Sequence, residues 1–149
     1  MLVFTVAVFN SSGISASQED YLLAIRRLTE SDRVARSKDI ADALGVTASS
    51  VTSAIQQLHA SGHVHYDRYS YITLTEQGER VASQLLRRHR LIQDFLTEVL
   101  GMPRYDAHAN ACRIEHALGP EVCGRLEELM QFLEDDQTLL NEWKRKRKK

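Results

Sequence analysis

The sequence has little of what marks several large classes of protein. Its 149 residues include only two cysteines, Cys112 and Cys123. That is too few for a disulfide-stapled secreted scaffold and favours a reducing compartment. No apolar run approaches the roughly 18–20 residues that a membrane-spanning helix needs. Residues 2–9 are apolar, but they are short and lack the basic start and cleavage site of a secretion signal. We therefore expect a cytoplasmic protein with no membrane partner.

An excess of charge of either sign is also missing. The formal net charge is −1, so no overall positive field attracts the protein to nucleic acid. The distribution is uneven, because residues 76–143 carry thirteen acidic and seven basic side chains, whereas residues 144–149 are all basic. An acidic segment attracts cations, although it is more often only a solvated surface. The hydrophobic share of 43% is ample for one domain or two small ones.

Residues 37–62 have the pattern of two short helices joined by a turn. The first helix is expected to end at Gly45, and Thr47 is suited to cap the second, which ends near Gly62. This arrangement is typical of a helix-turn-helix that reads DNA. Hydroxyl and amide groups on the outward face of the second helix can meet base edges and phosphates. The candidate DNA contacts are Thr47, Ser49, Ser50, Ser53 and Gln56, with Gln57 on the same face. The alternative is that these hydroxyl groups merely cap the helix.

The segments on either side of this pair complete a winged helix. A helix before it is predicted to have Ser17 as its N-cap and Asp20 in its first turn. Residues 63–75 are rich in β-branched and aromatic side chains around a polar centre, which predicts a hairpin, the wing. Arg68 at its tip is a candidate phosphate contact. We interpret His63 and His65 as surface or strand residues rather than as ligands.

The rest of the chain is predicted to be helical. A long helix runs from residue 76 to about residue 100, where Gly101 and Pro103 end it, and shorter helices cover about residues 105–118 and 121–134. The fold class is therefore mainly α. An N-terminal winged helix-turn-helix is followed by an all-helical domain.

Residues 108–116, HANACRIEH, carry a set of metal ligands at helical spacing. His108, Cys112 and His116 fall at i, i+4 and i+8, and Glu115 lies on the same side. Nitrogen, sulfur and oxygen donors together suit a divalent transition metal and disfavour magnesium or calcium. One helix cannot surround an ion, so further ligands must come from other elements. His89 and Asp20 are the candidates, although each is ordinary in isolation.

The order of SQEDYLLAI, the winged helix, RRHRLIQDFL and ACRIEHAL resembles the diphtheria-toxin-repressor family of metal-dependent transcriptional repressors. It is most similar to the short branch that includes the manganese transport regulators, and the resemblance covers about residues 17–135. It implies a homodimer with a winged-helix DNA-binding domain at residues 17–75, after an extension at residues 1–16. It also implies a helical metal-binding and dimerization domain at residues 76–149.

The resemblance also implies which residues bind metal. Asp20 matches a ligand of manganese-type members, whereas Cys112 matches a cysteine of the iron type. Leu23 stands where manganese-type members have a further glutamate ligand, and Gln93 stands where iron-type members have a glutamate. The implied site is therefore a hybrid of the two types. The implied ligands are Asp20, His89, His108, Cys112, Glu115 and His116. We expect Fe(II), with Mn(II) as a close second, and substitution by Co, Ni or Zn in vitro.

The implied mechanism is a metal ion that binds both domains, orders the dimer to bind a palindromic operator in double-stranded DNA, and so controls metal-homeostasis genes. One alternative is a winged-helix regulator that senses another ligand or binds DNA without metal, with the His/Cys stripe as core. A metalloenzyme is a further alternative, because a glutamate beside a histidine can promote hydrolysis. The sequence contains no substrate-pocket motif, so we expect no enzyme and no small-molecule substrate.

Overall fold

The computed structural model describes residues 13–31, 34–66 and 71–147. The chain folds as two compact units that divide between Leu86 and Arg87. The expected mainly helical architecture is confirmed. Of the sequence predictions, the extension up to residue 12 and Arg68 at the wing tip lie outside the described residues. None of the helices in the described ranges is long and apolar enough to cross a membrane.

The first helix of the N-terminal unit is α1 (Ala16–Glu30). The predicted N-cap of this helix, Ser17, was wrong by two residues. Ser15 is the N-cap: its side chain accepts a hydrogen bond from the Gln18 backbone, and the Gln18 side chain accepts one from the Ser15 backbone. This reciprocal pair is a capping box, which needs Glu or Gln three residues after the cap. Ser17 has Asp20 at that position, so it satisfies the pattern less well.

The expected helix-turn-helix is confirmed by α2 (Ser37–Leu44) and α3 (Ala48–Ala60). Gly45 ends α2 in a left-handed conformation with φ of 65°, which glycine adopts without steric cost. Thr47 caps α3, as predicted, by accepting a hydrogen bond from the Ser50 backbone at 3.2 Å.

The wing is a two-stranded antiparallel sheet of β1 (Val64–His65) and β2 (Thr73–Leu74). One further bridge joins Ala35 to Ile72, whose backbone N–H donates to the Ala35 carbonyl at 2.9 Å. This bridge links the start of the helix-turn-helix to the second strand of the wing. The core of the unit consists of the apolar faces of α1, α2 and α3 against the wing; its fully buried side chains include Leu22, Ile25, Ile40, Ile55, Leu58 and Ile72.

Helix α4 (Glu76–Asp94) spans the division between the units and continues as a π-helical turn over Phe95–Val99. Gly101, with φ of 61°, ends it, as the sequence predicted. Helix α5 (Arg104–Ile114) ends four residues before the predicted limit of 118. The chain turns there because the Ala117 backbone bonds to the carbonyl of Ile114, and Gly119 and Pro120 follow.

Helices α6 (Pro120–Asp135) and α7 (Gln137–Arg147) complete the C-terminal unit. The basic end of the chain is helical as far as Arg147, and α7 packs on the π-helical turn. The indole N–H of Trp143 donates to the Val99 carbonyl at 2.6 Å, and Lys144 forms an ion pair with Glu98 at 3.1 Å. Part of the terminal positive charge is therefore engaged inside this unit.

Candidate metal centre

Four of the predicted ligands form one hydrogen-bonded cluster in the C-terminal unit. His89 comes from α4, His108 and Cys112 come from α5, and Glu115 follows the end of α5. His89 Nε2 lies 3.0 Å from His108 Nδ1, and the two rings meet edge to face at 71°. His108 Nε2 lies 4.0 Å from the Cys112 sulfur. On its other side, His89 Nδ1 lies 2.7 Å from Glu115 Oε2.

The hydrogen-bond chemistry of this cluster assigns a proton to each ring. A carboxylate only accepts, so His89 Nδ1 donates to Glu115. In a neutral imidazole with its hydrogen on Nδ1, the lone pair is on Nε2. That lone pair accepts from His108 Nδ1, which in turn leaves the lone pair of His108 Nε2 facing Cys112. A carboxylate on the far nitrogen of a histidine is the arrangement that orients a metal-ligating imidazole. His89 is therefore held with Nε2 directed at His108.

The donor positions fit a transition-metal ion. One ligand atom from each of His89, His108 and Cys112 lies within 4.8 Å of the other two. His89 and Glu115 are buried, whereas Cys112 is half-buried and His108 is exposed. The cluster is therefore fixed at its inner end and open to solvent at its outer end.

Glu115 makes two further contacts. Its carbonyl accepts a hydrogen bond from the Arg88 guanidinium at 3.0 Å, which satisfies a backbone group left open at the end of α5. Its second carboxylate oxygen, Oε1, lies 3.6 Å from His116 Nε2. Because α5 ends at Ile114, Glu115 and His116 lie beyond the helix on which the sequence pattern placed them.

The remaining candidate ligand, Asp20, is an exposed residue of α1 in the N-terminal unit. The described side chains of both units leave no buried polar side-chain atom without a hydrogen-bond partner. The ligand role of Asp20, like that of the other five residues, stays a prediction.

The candidate DNA contacts lie on the exposed side of α3, whose other side buries Val51, Ile55 and Leu58. Thr47 Oγ1, which caps the helix, also lies 2.9 Å from both Ser49 Oγ and Ser50 Oγ, so the three hydroxyl groups bond to one another at its start. All five of the predicted residues on or next to α3, Thr47, Ser49, Ser50, Ser53 and Gln56, are exposed. Their role in DNA binding also stays a prediction.

Sequence reasoning missed a buried histidine at the base of the wing. His63 was expected at the surface or in a strand, but it lies just before β1 and is 2% exposed. Its ring bonds to Ser61 Oγ at 2.9 Å and to Gln77 Nε2 at 3.2 Å. Burial lowers the pKa of His63 from its ordinary value, because desolvation disfavours the charged form.

It also missed an arginine beside the wing. The Arg36 guanidinium lies 5.3 Å from the centre of the exposed Tyr71 ring, a cation–π contact. The two residues neighbour the bridge between Ala35 and Ile72. No local pattern in the sequence pairs residues this far apart.

A winged helix-turn-helix together with a cluster of nitrogen, sulfur and oxygen ligands defines a class, the DNA-binding regulators that also bind a metal ion. Comparison with known families agrees. The N-terminal DNA-binding domain of the iron-dependent repressors matches residues 13–72, and their metal binding and dimerisation domain matches residues 75–144. The chain belongs to the iron-dependent repressor family.

Relatives with similar sequences cover most of the chain. An uncharacterised HTH-type transcriptional regulator of Methanocaldococcus jannaschii is 38% identical over 123 residues, which is 82% of this chain and 98% of that protein. The HTH-type transcriptional regulator MntR of Bacillus subtilis is 35% identical over 80% of this chain and 84% of its own length.

Solved structures have the same fold. A manganese-dependent transcriptional repressor in complex with manganese matches 77% of this chain with a TM-score of 0.71 and 33% identity. IdeR of T. acidophilum matches 76% with a TM-score of 0.68 and 30% identity. This chain spans 53% of each of those two longer chains.

Proposed function

We propose that this protein is a cytoplasmic, homodimeric transcriptional repressor that binds double-stranded operator DNA when it is loaded with Fe(II) or Mn(II). The observation that carries the proposal is the cluster of His89, His108, Cys112 and Glu115. It lies within the segment that matches a metal binding and dimerisation domain, and the matched DNA-binding domain precedes it. The proposed domain limits are residues 17–75 and 76–149.

The proposed ligands form two sets. The first consists of His89, His108 and Cys112, whose donor atoms lie close together. The second consists of Asp20, Glu115 and His116. Support for the second set is the resemblance to metal-dependent repressors and the carboxylate and imidazole donors themselves, which divalent transition metals accept.

The proposed ion would act by joining the two domains. Because Asp20 belongs to the DNA-binding domain and the other ligands follow residue 76, an ion bound by both would favour one arrangement of the dimer. In that arrangement the two α3 helices would lie one DNA turn apart, about 34–36 Å, on a palindromic operator. The ion can shift this equilibrium only by its difference in affinity for the two states.

The proposed choice of metal is supported by the mixed ligand chemistry. A thiolate at Cys112 is a softer ligand than a carboxylate and favours Fe(II) over Mn(II). Relatives named for manganese, and one solved in complex with manganese, support Mn(II) as the alternative. A related structure has bound Zn2+ and another has bound Cd2+, which supports substitution by other divalent ions in vitro.

The proposed partner subunit would pack on α6. Val122, Leu129 and Phe132 are 51%, 43% and 57% exposed, and their spacing puts them on one face of that helix. An apolar face left open to water marks an interaction surface. The match of this segment to a dimerisation domain makes a second copy of the chain the proposed occupant.

An anaerobic DNA-binding titration tests the proposal. Duplexes are first selected from a random library by the Mn(II)-loaded protein. Binding is then followed by fluorescence anisotropy with Fe(II), Mn(II), Co(II) and Zn(II), and with chelator. We expect tight binding with Fe(II) or Mn(II) and weak binding with chelator, with half-sites arranged as a palindrome. Equal affinity in chelator and in metal would contradict the proposal, and a response to zinc alone would overturn the metal assignment.

A further inference from the structure

Two glutamine side chains join α1 to α3. Gln18 in the first turn of α1 donates from Nε2 to Oε1 of Gln57 at 3.1 Å. The residues are 39 positions apart, and both lie in the N-terminal unit. The contact places a side chain of α1 against the helix that carries the candidate DNA contacts.

The orientation of both amide groups is determined by a backbone hydrogen bond. The Ser15 N–H donates to the Gln18 side chain at 2.8 Å, and a backbone N–H can only donate, so the atom it meets must be Oε1. The other end of the Gln18 amide is therefore its NH2 group, which donates to Gln57. The atom of Gln57 that accepts must be its oxygen. The oxygen and nitrogen of an amide side chain are hard to tell apart, and here the hydrogen bond from the Ser15 backbone decides which atom is which in both glutamines.

Gln57 is exposed and lies one turn after Ser53, next to Gln56, on the outward side of α3. Its oxygen is engaged by Gln18, so its NH2 group is the part left to bind a ligand. Such a group can donate to a phosphate oxygen, or to a base acceptor such as guanine O6 or N7 or thymine O4. The paired contact of glutamine with adenine needs an acceptor and a donor that both face the base. The bond to Gln18 occupies one of the two lone pairs of the Gln57 oxygen and directs that oxygen toward α1.

We propose that Gln57 binds operator DNA as a hydrogen-bond donor and that Gln18 is the positioning residue that imposes this polarity. The proposal rests on the proposed function, since it needs a protein that binds DNA through α3. The ligand is an acceptor atom of DNA. The acceptor atom belongs either to a base edge or to a phosphate, and the test distinguishes these two cases.

The Gln18→Glu variant reverses the polarity of Gln57. A glutamate at this position keeps the capping box, because one carboxylate oxygen still accepts from Ser15. The other oxygen can only accept, so Gln57 keeps this contact by turning its NH2 group toward the introduced carboxylate, which presents its oxygen outward. Gln57→Glu removes the NH2 donor of residue 57 directly and changes no residue of α1. It therefore measures the contribution of this donor to DNA binding independently of Gln18→Glu.

The measurement is selection from a random duplex library followed by anisotropy, both with Mn(II)-loaded protein. If the partner is a base, Gln18→Glu should change the preference at one base pair of each half-site from G or T toward A or C. If it is a phosphate, affinity should fall by roughly 5- to 10-fold on every selected sequence. Gln57→Glu should lose affinity in either case.

Ser17→Glu is the matched control, because it adds the same charge to the neighbouring exposed position without touching the amide pair. When Gln57 is already replaced by Ala, adding Gln18→Glu should change DNA affinity and base preference no more than adding Ser17→Glu does. If Gln18→Glu and Ser17→Glu bind alike in the otherwise wild-type protein, the inference is overturned. If the wild-type protein shows no metal-dependent DNA binding, it is the proposed function that fails.

Discussion

His89 donates its Nδ1 hydrogen to Glu115 across 2.7 Å, and both side chains are buried. This bond holds the imidazole with its Nε2 toward His108. We predict that Glu115→Gln weakens metal binding by at least roughly 10- to 100-fold, because it changes the partner that orients a ligating histidine and also removes a carboxylate that is itself a proposed ligand. Isothermal titration with Mn(II) measures it. Glu121→Gln, at an exposed site in the first turn of α6, is the control, and equal affinity in the two variants would contradict the assignment.

Cys112 should decide which metal the protein prefers. The Cys112→Ser variant replaces a soft sulfur by a hard oxygen, so we expect affinity for Co(II) and Fe(II) to fall more than affinity for Mn(II). Competition titrations measure the ratio. The absorption band of a Co(II)–thiolate bond should be present in the wild-type protein and absent from the variant.

The second cysteine provides the matched control for this prediction. Cys123 is half-buried like Cys112, but it lies on α6, outside the cluster. Cys123→Ser should keep both the metal preference and the Co(II) absorption. A thiolate band that disappears with Cys123 instead of Cys112 would show that the ligand is assigned to the wrong residue.

Patterns that repeat within one helix could be predicted from the sequence. The turn at Gly45, the cap at Thr47 and the His108–Cys112 spacing all depend on residues close in the chain, and the structure has each of them. The cap at Ser15 could also have been predicted, since Gln18 completes a capping box that Ser17 lacks.

Contacts between distant segments could not be predicted in this way. The burial of His63 depends on Gln77, fourteen residues further along the chain, and the amide pair of Gln18 and Gln57 depends on how α1 packs against α3. Hydropathy and spacing carry no information on such pairs. Asp20 and His89 were candidate ligands that looked ordinary in isolation, and only the resemblance to a known family gave a reason to place them with the others.

The exposed apolar face of α6 should hold the dimer together. Phe132→Asp introduces a charge at a position expected to be desolvated between two subunits, so we predict a large shift toward monomer at micromolar concentration. Sedimentation equilibrium measures it, with a monomer mass of 16.9 kDa as the reference. Gln131→Asp, an exposed position that helical spacing puts off this face, should leave the dimer intact. A Phe132→Asp variant that remains dimeric would show that the subunits meet elsewhere.

The pH dependence of folding should reflect His63. Gln77 donates an N–H to His63 Nε2, so this nitrogen is unprotonated, and Nδ1 donates to Ser61 Oγ, whose own hydrogen goes to the Leu58 carbonyl. The network satisfies a neutral ring, and burial lowers its pKa below the ordinary 6.5. Below that pH the unfolded chain binds more protons than the folded one. The free energy of unfolding should therefore fall as the pH drops from about 6.5 toward the folded-state pKa.

Urea unfolding of the wild-type protein, with chelator present throughout, should give a lower midpoint at pH 5.5 than at pH 7.5. His63→Leu removes the titrating group and should reduce that difference, although it also costs stability at both pH values by breaking the network. His65→Gln is the matched control, because His65 is an exposed residue of β1 two positions away. It should retain the full difference. If His65→Gln and His63→Leu change the pH dependence equally, the buried ring is not its source.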